Sequence, residues 1–223
     1  MKLAPPITAV TLDVGGTLLH PWPSVGAAYA RVAARHGLVV PAAELDRAFA
    51  VAWRQMGEFH HTRAEWAALV DRTFAGFAPT PPSQSFFPEL YDEFREPRAW
   101  RLAEDALATL DALAGRGLDL GVISNWDERL VPLLERLDLH RYFEVVVVSC
   151  NVGFPKPSPV IFGEAARRFG RPPEHILHVG DCRDRDYAGA RAAGFQALHL
   201  QRSAGPGAPE TIAALREIEA RLP

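Results

Sequence analysis

The sequence has little lysine. Of its 24 basic residues only two, Lys2 and Lys156, are lysine; the rest are arginine. In such a chain an interior lysine points to a place that needs a compact ammonium, one a planar guanidinium does not fill. Lys156 lies in the turn-rich stretch GFPKPSP, where the plain alternative is a surface loop residue. Cysteine is scarce too. Cys150 and Cys182 make no disulfide framework, so a reducing cytoplasm is the expected compartment, and both read as small packing residues near strand ends. There is no excess of positive charge: the net charge is −3, which excludes the basic field a nucleic-acid partner needs. No apolar run approaches the roughly 18 residues required to cross a bilayer. The opening MKLAPPITAV is not patterned as a secretory signal, so no membrane partner is expected. What is present is ordinary for a globular protein: 223 residues, 48% hydrophobic and 23% charged. That length allows one sizeable core plus a smaller subdomain, and a monomer is the default.

From residue 100 onward, strand-like and helix-like patterns alternate. Leu102, Ala106, Leu110 and Leu113 recur at helical spacing, and Gly115 and Gly117 end the segment. LDLGVIS, EVVVVS, HILHVGD and FQALHL read as buried strands, with helices between them. A last helix carries Ile212, Leu215, Ile218 and Leu222 on one stripe. With ITAVTLDV at the start there are five strands, and continuous apolar strands joined by helices mean a parallel sheet covered on both faces. Residues 19–97 break the rhythm with helical segments such as VGAAYARVAARHG and no convincing strand. The expected fold is α/β, a doubly wound, Rossmann-like parallel sheet from residues 1–18 and 98–223, with a helical insertion at 19–97.

In such sheets ligands bind beyond the carboxyl ends of the strands. The polar residues found there are Asp13, Ser124 with Asn125, Lys156 a few residues past the third strand, and Asp181. Singly, a strand-ending aspartate reads as a helix cap. Together the residues sort into a chemistry. Asp13 and Asp181, helped by Asp186, offer the hard oxygens that Mg²⁺ prefers. The N–H groups of the Gly15-Gly16-Thr17 turn can form an anion nest. Ser124 offers a hydroxyl to a phosphate oxygen, and Lys156 a positive charge to phosphate or to Asp13. A carboxylate, a metal and a lysine around an anion hole suit phosphoryl transfer through an aspartyl intermediate.

Four stretches now carry a resemblance: DVGGTL at Asp13–Leu18, VISN at Val122–Asn125, GFPKPSPVIF around Lys156, and HVGDCRDRDYAGARAAG at His178–Gly194. In this order and at these strand ends the sequence resembles the haloacid dehalogenase superfamily of hydrolases over nearly its whole length. The insertion resembles the α-helical cap of that superfamily's first cap class, which sets specificity. The resemblance implies Asp13 as nucleophile and Mg²⁺ ligand, Gly15 as a backbone carbonyl ligand, Asp181 as second carboxylate ligand, and Asp186 as a ligand directly or through water. It implies Ser124 and Lys156 as holders of the phosphoryl group and the nucleophile, with Gly15, Gly16 and Asn125 completing the phosphate site.

The sequence departs from that family at Gly15. Typical phosphatases of the superfamily carry aspartate there, which protonates the leaving group and then activates water. Such help is typically worth about 10²–10⁴ in rate. His20, Glu58, His60 and His61 are the insertion's candidates for a substitute, each more simply a surface or packing residue. The expectation is a slow Mg²⁺-dependent phosphatase of small phosphate monoesters, favouring good leaving groups. A metal-free 2-haloacid dehalogenase is the alternative, with Trp126 or Phe154 lining a halide pocket, although Asp181 and Asp186 would then have no task. Another is a protein that binds phosphorylated ligands without turnover, against which the retained Asp13 speaks. A phosphonate-cleaving enzyme needs a lysine in the insertion, which has none.

Overall fold

The run ITAVTLDV forms β1 (Ala9–Leu12), buried along its whole length. The computed structural model describes residues 6–203 and 208–222. After β1 come β2 (Leu19–Pro21), four helices, α1 (Val25–Arg35), α2 (Ala42–Arg54), α3 (Arg63–Phe74) and α4 (Phe87–Glu93), and β3 (Trp100–Leu102). Then follow α5 (Ala106–Gly115), β4 (Asp119–Ser124), α6 (Leu130–Arg136), β5 (Val145–Val148), α7 (Ser149–Val152) and α8 (Pro159–Phe169). The chain ends with β6 (Ile176–Gly180), α9 (Gly189–Ala192), β7 (Gln196–Leu200) and β8 (Thr211–Ile212). Two compact units result, Met1–Leu19 with Leu102–Pro223, and His20–Arg101.

The first unit is a six-stranded parallel sheet flanked by helices, in the order β5-β4-β1-β6-β7-β8. Successive strands add to one side of β1 as β4 and β5, then to the other as β6, β7 and β8. The order therefore reverses around β1, and the crevice at such a switch point is where open parallel sheets bind ligands. One apolar cluster joins Ile123, Val145 and Val147 to Ile161, Phe162 and Phe169 of α8. Helix α8 begins as its sequence dictates: Pro159 occupies the first turn and the Ser158 side chain accepts from Val160 N–H.

Two elements differ from expectation. Ile212 belongs not to a last helix but to β8, a sixth strand, with Gln201 N–H donating to Ile212 O at 2.8 Å. The adjacent β-branched pair Thr211-Ile212 favours extended backbone. Only Leu215–Arg221 coils, as a 3₁₀ helix burying Leu215 and Ile218. The segment DYAGARAAG is not one regular helix either. Arg183–Ala188 is a π turn, in which Tyr187 N–H reaches back to Cys182 O at 3.3 Å, and α9 follows it. Such wide turns recur at functional sites because they re-aim a side chain.

The second unit is helical, with β2 and β3 paired as a short ribbon where the chain leaves and re-enters the sheet unit. Strands of three residues are too short to show alternation in a sequence, so none was expected between 19 and 97. Tyr29, Val32, Leu45, Val70, Phe74 and Leu90 form its core. Ser24 caps α1, accepting from Ala27 N–H, and Thr62 with Glu65 forms a reciprocal capping box on α3.

Candidate active site

The strand order decides which side chains meet. Asp13 immediately follows the central strand β1, Ser124 ends β4 on one side, and Asp181 follows β6 on the other. Ser124 Oγ donates to Asp13 Oδ1 at 2.8 Å. Asp13 N–H donates to Val179 O at 2.9 Å, so the backbone of this aspartate is fixed by the neighbouring strand.

Lys156 reaches the same point from the loop between α7 and α8 and is 3% exposed. Its ammonium donates to Asp13 Oδ1 at 2.7 Å, Asp186 Oδ1 at 2.5 Å and Ile123 O at 2.8 Å. Three acceptors for three N–H groups is full satisfaction of a lysine. Burial alone would lower its pKa, but the charges of Asp13 and Asp186 outweigh that and hold it above its ordinary value. Asn125 fixes the loop. Its Oδ1 accepts from Lys156 N–H at 2.7 Å and its Nδ2 donates to Lys156 O at 3.0 Å. The expected phosphate contact of Asn125 is thereby reduced to its second N–H, because the rest of the amide holds the Lys156 backbone.

Asp186 is buried and receives Lys156 Nζ and His178 Nε2 on Oδ1, the latter at 3.2 Å, and Cys182 N–H on Oδ2 at 2.9 Å. Burial would raise its pKa; the Lys156 charge beside it prevails and keeps the carboxyl well below the ordinary range. His178 has no solvent exposure, and its Nδ1 lies 2.9 Å from Thr11 Oγ1. Burial pushes its pKa down, so the ring is neutral. The network assigns the tautomer: Nε2–H donates to Asp186 and Nδ1 accepts from the Thr11 hydroxyl. Sequence reasoning passed over His178 and Thr11. Their signal was a polar residue within each of two otherwise apolar central strands.

Two glycines make room for the acids. A Cβ on Gly16 would overlap the Asp181 carboxylate, and one on Gly180 would overlap Asp186. Carboxylate oxygens of Asp13, Asp181 and Asp186 all lie within 4.8 Å of one another. Asp181 keeps an exposed face, yet the protein atoms crowding its carboxyl and the charges of Asp13 and Asp186 push its pKa up to about 6. At neutral pH three carboxylates face one ammonium and a neutral histidine. The excess of carboxylates over the Lys156 ammonium and the all-oxygen donor set fit a hard divalent cation.

The turn after Asp13 differs from the expected nest. Gly16 N–H donates to Leu19 O at 2.9 Å and Thr17 N–H to Val14 O at 3.3 Å, so neither is turned to an anion. Gly16 serves the site through its missing side chain and its φ of +84°. Gly15 forms a single parallel bridge with Leu19, in which its own N–H and carbonyl take no part. Two of the four candidate substitute acids are engaged within their own unit: His60 bonds Glu65, and buried His61 packs on Phe59 with ring centroids 4.8 Å apart. Phe154, offered for a halide pocket, is half exposed, whereas Trp126 is buried next to Gly15.

A family model described as haloacid dehalogenase-like hydrolase matches residues 7–194. The haloacid dehalogenase-like hydrolase domain-containing protein 3 of Bos taurus is 38% identical over 208 residues, 88% of this chain and 82% of that protein. A phosphoserine phosphatase of Thermus thermophilus is 38% identical over 128 residues, covering 55% of this chain and 50% of its own. Among solved structures, a 2-haloacid dehalogenase from Pseudomonas syringae superposes with a TM-score of 0.68 at 25% identity, over 96% of this chain and 97% of the other. Among the described residues no helix is long and apolar enough to cross a membrane.

Proposed function

Because this chain belongs to the haloacid dehalogenase-like hydrolases, we propose that it is a slow Mg²⁺-dependent phosphatase of small phosphate monoesters, working through an aspartyl-phosphate intermediate. The observation that carries this reading is the surplus of carboxylates around Asp13: Asp181 and Asp186 within 4.8 Å of it, against one lysine. A dehalogenase that works on carbon without metal has no use for that surplus. The relative named as a phosphoserine phosphatase supports a phosphate ester as substrate.

In this reading an Asp13 carboxylate oxygen attacks phosphorus. The bond from phosphorus to the ester oxygen breaks, and its electron pair leaves with that oxygen. Water then hydrolyses the acyl phosphate, releasing phosphate and restoring Asp13. Lys156 holds the nucleophile in place through Oδ1 and brings positive charge to the transferred group. Ser124 fixes the same oxygen and stands beside the group bonded to it. Asp13, Asp181 and the Gly15 carbonyl, with Asp186 directly or through water, would hold Mg²⁺, which when bound would supply positive charge to the phosphoryl oxygens.

The test is hydrolysis of p-nitrophenyl phosphate by the purified protein with Mg²⁺ and with EDTA, beside Asp13→Asn. Turnover that requires the metal and vanishes in the variant is expected. Metal-independent turnover of 2-chloropropionate would replace this reading with the dehalogenase, to which the buried Trp126 ring beside Gly15 lends an apolar wall. No turnover of either compound, with phosphate still raising the melting temperature, would make the protein a binder.

A further inference from the structure

Gly15 is not glycine for the sake of its backbone. The positive-φ glycines of the described chain include Gly16 but not Gly15. What constrains Gly15 is a side chain 111 positions away. A Cβ at residue 15 would lie 3.3 Å from Cζ3 and 4.0 Å from Cε3 of Trp126. The first distance is shorter than ordinary carbon–carbon contact, about 3.5–4.0 Å. The indole has little freedom to retreat. Trp126 is buried, and the backbone that carries the ring is fixed: its main-chain N–H donates to Ser149 Oγ at 3.1 Å, and its carbonyl accepts from Ser149 Oγ at 3.1 Å and Cys150 N–H at 3.3 Å. A carboxylate attached to that Cβ would start against ring carbons that offer it no hydrogen bond and strip part of its hydration.

We propose that Trp126 stands in for the missing acid: its indole fills the space beside Gly15 where other phosphatases of this family place the proton-donating carboxyl. This rests on the phosphatase reading above. The leaving group then departs next to an aromatic wall, with no protein proton available from residue 15. As Asp13 bonds to phosphorus, the electron pair of the breaking P–O bond goes to the ester oxygen, which leaves as an anion and takes its proton from water. Only oxygens that carry negative charge readily leave well under those terms. The substrate class is therefore phosphate esters of acidic hydroxyls, phenols and enols. Gly15 and Trp126 form one unit, and neither can be exchanged for a working acid alone.

Two measurements test this on Gly15→Ala, Gly15→Asp, Trp126→Ala and the two double variants. Trp126→Leu, which removes the ring carbons nearest residue 15 but keeps an apolar filler, replaces Trp126→Ala if that protein does not fold. The first measurement is thermal unfolding and needs no turnover. Gly15→Ala is expected to lower the melting temperature in the wild-type background and to leave it unchanged or raised where Trp126 is shortened. An equal loss in both backgrounds overturns the pairing. The second is kcat/KM across aryl phosphates of rising leaving-group pKa, ending with an alkyl phosphate. The wild type should fall steeply along the series. Gly15→Asp alone should gain nothing on the alkyl ester, while Gly15→Asp with Trp126 shortened should gain about tenfold or more and flatten the series. A gain in Gly15→Asp alone as large as in the double variant overturns the proposal. If the pairing holds in unfolding but no variant hydrolyses any ester, the phosphatase reading fails, and the leaving-group selection with it.

Discussion

The Lys156 ammonium donates to Asp13 Oδ1 at 2.7 Å, joining residues 143 apart in the sequence inside a site that is otherwise acidic. Its three N–H groups diverge to Asp13, Asp186 and the Ile123 carbonyl, an arrangement a planar guanidinium fork does not match. In a chain that writes arginine nearly everywhere else, this is why position 156 is lysine. Lys156→Met is expected to cost about 3–5 kcal/mol, because it leaves two buried carboxylates without their cation. Lys156→Arg should lose turnover almost as completely as Lys156→Met while keeping the charge. Chemical denaturation and p-nitrophenyl phosphate hydrolysis read the two effects; an active Lys156→Arg protein would show that charge alone suffices.

If the acid cluster holds the cation as proposed, binding should depend on pH. Asp181 has a folded-state pKa near 6, above the ordinary unfolded value of about 3.9. A raised carboxyl pKa means that the folded, metal-free protein holds an extra proton between those values. The stability it confers is fully present below the lower value and is lost as pH rises through about 6. A divalent cation bound as proposed would replace that proton. Mg²⁺ is therefore expected to raise the melting temperature clearly at pH 7.5 and much less at pH 5.0. An equal shift at both pH values would place the cation away from Asp181.

Gly16→Ala should separate the metal site from the fold. Its φ of +84° is one that alanine adopts at a cost of about 1–2 kcal/mol. The added Cβ also overlaps the Asp181 carboxylate and must push it from its place. Stability should fall by about that amount, and Mg²⁺ affinity by about tenfold or more. Calorimetric titration with Mg²⁺ checks the second effect; unchanged affinity would show that Asp181 is not a ligand.

Much of the sheet and its polar edge was legible because both follow local rules. Apolar runs bounded by turns gave β1, β4, β5, β6 and β7, and polar residues at their ends gave Asp13, Ser124 and Asp181. Lys156 was legible through scarcity. Strand β8 was not, because Ile212 lies three residues before Leu215, and a two-residue strand mimics one turn of a helical stripe. The Gly16 and Thr17 N–H groups are turned to carbonyls by a fold-back onto Leu19 and Val14 that no spacing announces. The Gly15–Trp126 approach was hidden for a deeper reason. Side-chain packing between strand ends is decided by sheet order, and sheet order is not written in the neighbourhood of either residue.

His178 lies further inside, and its effect should pass through Asp186. With no solvent exposure it bridges Thr11 Oγ1 at 2.9 Å and Asp186 Oδ1 at 3.2 Å. His178→Leu removes a donor from a buried carboxylate and leaves the Thr11 hydroxyl only the Leu177 carbonyl at 3.4 Å, a loss of about 1–3 kcal/mol. Freed on that side, Asp186 can rotate, and Lys156, which it helps to hold, loses its alignment on Asp13. Turnover should fall about tenfold, as it does when partners just outside a metal site are removed. His178→Gln, which keeps a donor, should recover part of it. Burial keeps this ring neutral, so the pH profile of kcat should keep its shape in both variants while its height changes. A shifted inflection near neutral pH would mean that His178 itself exchanges a proton during turnover.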